Sequence, residues 1–502
     1  MNDRRKVTSN LAASVFGYVV SIVIGLVLPR FFTLTYGSEV NGLLGSVNQY
    51  VVYLGLFEAG IGTATLQALY KPVALSDNGR ICSVMNATGI YYRKAGFYYL
   101  IGLIILCFGY PLLVKTEISY FKVSGIIFFT GFVNVLNFWI QGKYVVLLRA
   151  EGKNYIVTNL TTVSTVLTGV LKIILISLKV DVLVIMAVSF CVGVSTMLFV
   201  LIYMKTKYKW LDKAIPADFE SISQKNSVLV HEISWLIFNN TDIIILTSVC
   251  GLKIVSVYTM YKLVTTQLGS ILSIIPNSVE FSLGQLFQTN KEEYATRADI
   301  CESLYSTAFF SIYSTALFLF IPFMRLYTSG ITDVNYIDYR LAVLFVAIEV
   351  LSSMRVIMNQ AINFAGHFKL TISRTITESA LNLAVSLVLV HFWGIIGVLL
   401  GTVVALLYRT NDIIIYSNKR LLGRSPAKTY LIHLLNLAIL IGLQFVFRLL
   451  PEINGIFDFI LYGAVTVLAT GIVMLAVQMI VFPGFRKFIV GEVRNVCKGK
   501  AK

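Results

Sequence analysis

Residues 50–66 read YVVYLGLFEAGIGTATL, and Glu58 is the one charge among apolar, small and weakly polar neighbours. An acid in such a run is unremarkable in water, but on insertion scales an ionisable group at mid-bilayer costs roughly 2.5–3.5 kcal/mol. The meaning of Glu58 therefore depends on the solvent, and composition decides the solvent. The chain has 502 residues, is 57% hydrophobic and 13% charged, and has a mean hydropathy of +0.79. A soluble domain carries roughly 25% charged residues, so a soluble surface cannot be built from this supply. Apolar runs of about 20 residues recur along the chain, each long enough to cross roughly 30 Å of hydrocarbon as a helix. Alternating strands of the outer-membrane barrel type are absent. The reading is an all-α polytopic membrane protein.

Apolar runs between charged or turn-rich breaks predict about 14 transmembrane helices. They centre near Val20, Val52, Ile101, Val133, Leu167, Ser189, Phe238, Leu268, Phe310, Val350, Leu383, Val404, Leu437 and Leu468. The shortest turns fall at Leu178–Asp181 and His391–Gly394. Arg4, Arg5 and Lys6 precede an apolar run from Val7 to Leu28, too long for a signal core, which is expected to stay as the first helix. With both termini in the cytoplasm, about 28 of the 41 Lys and Arg residues lie on the cytoplasmic side and roughly 7 outside. The net charge of +16 is then mostly topology, and no basic soluble surface for nucleic acid is left. The six cysteines are scattered, with no paired spacing that would indicate a disulfide framework or a zinc site.

The Lys-rich stretch near Met204–Ser227 reads as a linker between halves. The expected organisation is a six-helix bundle over 1–204, a basic cytoplasmic linker over 205–227, a second six-helix bundle over 228–420, and two further helices with a basic tail over 421–502. YGSEVNGLLGSV (36–47) is echoed loosely by CGLKIVSVYTMY (250–261), and LQALY (66–70) by LGQLF (283–287). Such internal repeats are a common transporter design.

Polar stripes mark candidate site residues. Glu232, Trp235, Asn239 and Asp242 share one helical face, as do Ser352, Arg355, Asn359 and Asn363. Asn134, Asn137, Gln141 and Tyr144 align on the fourth helix, Tyr258, Lys262, Thr266 and Gly269 on the eighth, and Asn48, Gly55, Gly62 and Thr65 beside Glu58. Together they suggest a hydrated cavity between two bundles. Stripes of Asn, Ser, Thr and Gly also serve as helix-packing glue, and Gly394, Gly397 and Gly401 are read that way. Glu58, Asp242, Lys262 and Arg355 sit too deep for snorkelling and are read as cavity charges. Arg30 could belong to the cavity or snorkel outward, Lys172 reads as an anchor, and Glu378 and Arg409 read as interfacial. Tyr91 to Tyr98, with Arg93 and Lys94, form an aromatic and basic belt fit for anionic lipid.

The chain has no G-x-x-x-x-G-K-[ST], H-E-x-x-H or G-x-S-x-G motif. Nothing indicates ATP hydrolysis or metal catalysis, and a non-enzyme without a cofactor is expected.

GLFEAGIGTATLQALYKPVA (55–74), NFWIQGKYVVLLRAEGKNY (137–155) and NNTDIIILTSVCGLKIVSVYTMYKL (239–263) together resemble the Wzx-type polysaccharide flippases of the multidrug/oligosaccharidyl-lipid/polysaccharide exporter superfamily. The resemblance implies two six-helix bundles in a V-shaped arrangement that alternate between inward-open and outward-open states. It implies a bacterial inner-membrane protein that moves an undecaprenyl-diphosphate-linked oligosaccharide from the cytoplasmic to the outer leaflet for surface polysaccharide synthesis. Membrane lipids and polysaccharide polymerase or assembly proteins are the expected partners. The family's cavities tend to be cationic, so Arg30, Lys262 and Arg355 become diphosphate candidates, with Gln141, Trp235, Asn239 and Asn359 facing sugar. Glu58, Glu232 and Asp242 make the set mixed in charge, and H⁺ or Na⁺ coupling through them is one reading. A drug or cation antiporter of the same superfamily is the alternative.

Overall fold

The computed structural model describes residues 3–58, 60–222, 236, 240–453 and 455–497, and contains no strand among them. The chain divides into two compact units, Met1–Met260 and Tyr261–Lys502.

The first unit opens with α1 (Asp3–Tyr36), α2 (Ser38–Leu54), α3 (Ile61–Ala74) and α4 (Asn78–Leu113). It continues through α5 (Tyr120–Ile140), α6 (Gly142–Ala150), α7 (Asn154–Ser177) and α8 (Val182–Lys207). A short apolar helix, α9 (Asn240–Val249), and the start of α10 (Leu252–Leu272) complete it. The two echoed segments begin α2 and α10, each directly after a glycine with φ of 85°, Gly37 and Gly251. Within this unit they also pack against one another. Asn41 Nδ2 donates to Ser256 Oγ at 2.7 Å, and a Cβ placed on Gly42 would lie 1.8 Å from the Leu252 carbonyl oxygen. Backbone cannot yield as a side chain does, so Gly42→Ala is expected to cost about 1–3 kcal/mol through overpacking. A lowered melting temperature of the purified protein would register it; an unchanged one would mean that the two segments are not packed this tightly.

The second unit contains α11 (Ile274–Thr289), α12 (Lys291–Tyr327), α13 (Tyr339–Met354), α14 (Val356–Phe364) and α15 (Phe368–Trp393). After these come α16 (Ile395–Tyr416), α17 (Ala427–Phe447), α18 (Ile456–Val481) and α19 (Pro483–Cys497). The α15–α16 turn lies at Gly394, and close approach of the two helices leaves no room beside Gly397, where an added Cβ would meet the Leu389 carbonyl oxygen at 2.2 Å.

The two last spans, which the sequence placed outside the repeat, dock on α12 through a buried polar seam. Asn436 Nδ2 donates to Ser306 Oγ at 2.8 Å, Gln478 Nε2 to Thr307 Oγ1 at 3.2 Å, and Gln444 Nε2 to the Ser314 carbonyl at 3.0 Å. His433 Nε2 lies 3.3 Å from Glu302 Oε1, both side chains being buried. In hydrocarbon, where apolar faces gain nothing by leaving lipid, such hydrogen bonds help to choose which helix pairs with which.

Among the described residues, 11 helices are long and apolar enough to cross a membrane, or 12 if the bent pair of α2 and α3 is one span. This is a multi-pass membrane protein. The expected count of fourteen is not confirmed, and the shortfall falls on the seventh and eighth stretches. Of the seventh only Leu236 and residues from Asn240 onward are described, and in the eighth α10 carries Lys253, Lys262 and several hydroxyl side chains.

Candidate functional site

Glu58 occupies a break in a membrane helix. α2 ends at Leu54, a single 3₁₀ turn covers Gly55–Phe57, and α3 leaves at an angle of 49°. Gly60 makes the turn possible with φ of 82°, a left-handed conformation that a side chain would strain. A helix broken inside a membrane leaves backbone polar groups to satisfy, so such breaks are tolerated where they line a wet cavity. That cavity is present within the first unit. It measures 460 Å³, and its charged or polar lining comprises Glu58, Thr63, Tyr92, Asn137 and Arg149. The Tyr92 hydroxyl donates to Glu58 Oε1 at 2.7 Å, so the carboxylate is held by α4 as well as by its own turn. The acid sits in an apolar run because the run stops there and faces polar space.

A second break, between α5 and α6, supplies further lining residues of the same cavity. Gln141 stands at this break, its N–H donating to the Asn137 carbonyl at 3.1 Å and its carbonyl accepting from the Val145 N–H at 3.0 Å. It lies between the lining residues Asn137 and Gly142. Arg149, not singled out in the sequence, brings a cation to the same cavity as Glu58. It lies two residues before Glu151 and four before Lys153, at the charged end of α6.

Other candidates of the first unit lie elsewhere. Asp242 is 4% exposed and accepts from the Tyr258 hydroxyl at 2.8 Å. It belongs to a seam in which Thr241 meets the Tyr53 hydroxyl at 2.7 Å and Thr247 donates to Ser46 Oγ at 2.8 Å, tying α9 to α2. Arg30 is half-buried, next to Pro29 within α1. Lys172, expected as an interfacial anchor, instead lines a 220 Å³ cavity with Asn48, Thr130 and Ser189. Glu232, Trp235 and Asn239 lie outside the described residues.

The second unit carries its own charged constellation. Arg355 marks the break between α13 and α14, the second deep charge to stand where a helix stops. Its Nη1 lies 2.6 Å from Glu378 Oε1, and Arg409 Nε lies 3.5 Å from the other Glu378 oxygen. Arg409 also reaches Asp412 at 2.5 Å, and Arg374 completes the chain by pairing with Asp412. Glu378 and Arg409, read from sequence as interfacial, are 4% and 5% exposed and form the centre of this network. Three guanidiniums against two carboxylates leave one net positive charge. Asn359 follows one turn after Arg355 on α14, its N–H donating to the Arg355 carbonyl at 2.8 Å.

Lys262 faces a carboxylate that the sequence reading missed. Glu349 on α13 accepts from the Tyr313 hydroxyl at 3.2 Å and lies within electrostatic reach of Lys262. It stands one turn before Ser352, so extending the tenth-helix stripe backward would have found it. Among the described residues no group of three or more His, Cys, Asp or Glu could hold a metal ion.

No protein-family model matches the chain, and no curated protein sequence matches it significantly. Solved structures do share its fold. The lipid II flippase MurJ, in an inward closed conformation, is 12% identical, with a TM-score of 0.68 over 94% of this chain and 100% of that one. An inward-facing multidrug resistance MATE family transporter of the MOP superfamily is 16% identical, with a TM-score of 0.58 over 86% and 95%. A mutant of the Vibrio cholerae MATE transporter VcmN is 15% identical, with a TM-score of 0.53 over 84% and 98%. The chain thus has a fold found in MOP-superfamily transporters.

Proposed function

We propose that the protein is a flippase that carries an undecaprenyl-diphosphate-linked oligosaccharide from the cytoplasmic to the outer leaflet for surface polysaccharide synthesis, by alternating access. The observation that carries the reading is the full-length likeness in fold to a flippase of a lipid-linked substrate. A carrier of this kind must shelter a sugar and a diphosphate while the prenyl tail remains in lipid. Cations suit the diphosphate: Lys262, the net positive Arg355 network and Arg30 are assigned to it. Gln141 and Asn359, with Trp235 and Asn239, are assigned to sugar. In an inside-negative membrane, outward movement of an anion is downhill by about 2.3 kcal/mol per charge per 100 mV. Resetting the empty carrier is assigned to a proton or Na⁺ exchanged at Glu58. On this reading both termini are cytoplasmic and the linker near 205–227 joins two six-helix bundles.

A second reading, a drug or cation antiporter, is favoured by the carboxylates Glu58 and Asp242, each held by a tyrosine hydroxyl. Proteoliposomes separate the two. Movement of a lipid-linked oligosaccharide between leaflets supports the flippase; movement of a hydrophobic cation without it supports the antiporter.

A further inference from the structure

A second cavity of the first unit differs in kind from the one at Glu58. It measures 640 Å³, and Arg93, Lys143, Lys205 and Lys213 line it with no Asp or Glu among the lining residues. Lys143 is half-buried, and the charged groups that act on it are Lys213 and Arg93, both cations. The nearby acids are turned to their own backbone: Asp212 accepts from the Ala214 N–H at 2.8 Å, and Asp218 from the Ser221 N–H at 3.1 Å. Cations gathered this way repel one another unless an anion joins them.

The cavity has a built wall. The segment after α8 is pinned across it, with Asn86 Nδ2 donating to the carbonyls of Asp212 at 3.0 Å and Ile215 at 2.8 Å. Ser83 Oγ donates to Pro216 O at 2.6 Å, and the Asp218 N–H returns to Ser83 O at 3.2 Å. Trp139 lines the opening, 41% exposed, its indole donating to the Arg93 carbonyl at 3.3 Å. Phe97, one turn along α4 from Arg93, is 56% exposed. Exposed aromatics beside arginine and lysine mark the headgroup level of a bilayer.

We infer that this cavity binds a phosphate-bearing anion, either an anionic lipid headgroup or a soluble phosphate compound. It is separate from the Glu58 cavity, although Tyr92 lines both. Lysine and arginine donate to phosphate oxygens through charge-assisted hydrogen bonds, and the aromatic rim admits a lipid glycerol. The site does not depend on which substrate the protein moves.

The test uses the full chain in phosphatidylcholine nanodiscs doped with phosphatidylglycerol, counting retained lipid by native mass spectrometry. Wild-type protein is expected to retain phosphatidylglycerol over phosphatidylcholine. The double variant Lys143→Gln/Lys213→Gln is expected to lose that preference about tenfold, whereas Lys71→Gln/Lys94→Gln, an equal charge change on two exposed side chains outside the cavity, leaves it intact. Lys205→Gln, also exposed, provides a second cavity variant should the double variant unfold. Displacement of the lipid by millimolar inorganic phosphate would assign a soluble ligand, and resistance to it a lipid. Unchanged retention in every folded cavity variant, with no phosphate-induced rise in melting temperature that depends on Lys143, would overturn the site.

Discussion

Glu58→Gln is expected to reduce transport driven by an ion gradient at least about tenfold while leaving the protein folded. The amide keeps the volume of the carboxylate and an oxygen that can still accept from the Tyr92 hydroxyl, now placed at 2.7 Å. What it removes is the charge and the ability to exchange a proton or Na⁺. Because the residue lies at the α2–α3 break and lines a polar cavity, losing its charge does not leave a hole in packed apolar structure. Proteoliposomes with and without an imposed H⁺ or Na⁺ gradient read the effect. Coupling predicts that wild-type transport responds to the gradient and that of the variant does not. A variant that still responds as wild type does would remove Glu58 from coupling.

Glu378→Ala is expected to give the largest loss of stability, about 3–5 kcal/mol. The carboxylate is shared by Arg355 at 2.6 Å and Arg409 at 3.5 Å, and both Glu378 and Arg409 are buried. Removing it leaves two guanidiniums facing one another with Asp412 as the remaining acid of the network. A buried pair broken on one side costs more than the pair itself contributes, because the orphaned charge stays out of water. Thermal unfolding in detergent measures this, with Glu280→Ala, an exposed carboxylate of α11, as the control. Equal melting temperatures for the two variants would contradict the network as described.

Much of this architecture could be read from composition and periodicity, because the bilayer imposes one solvent and one length on every span. The short turns at Leu178–Asp181 and His391–Gly394 appear as the α7–α8 and α15–α16 connections. The α2–α3 break was not read from the sequence: Asn48, Gly55, Gly62 and Thr65 were aligned beside Glu58 as one helical side, whereas the helix stops at Leu54 and resumes at Ile61. The α13–α14 break at Arg355 carries no glycine or proline, so nothing local announced it. Glu378 and Arg409 look interfacial when each helix is considered alone; their burial comes from α15 and α16 packing together, a long-range fact that one sequence does not display. Arg149 lies at the charged end of α6, and the polar seam between α12 and the last two spans was concealed by hydroxyl residues that resemble ordinary packing positions.

Whether this chain moves a lipid-linked oligosaccharide across the membrane is decided by deleting its gene and determining the leaflet on which the lipid-linked unit accumulates. Flipping by this chain predicts accumulation on the cytoplasmic leaflet with loss of surface polysaccharide, reversed by the wild-type chain. Normal delivery to the outer leaflet, in cells lacking any second flippase, would contradict it.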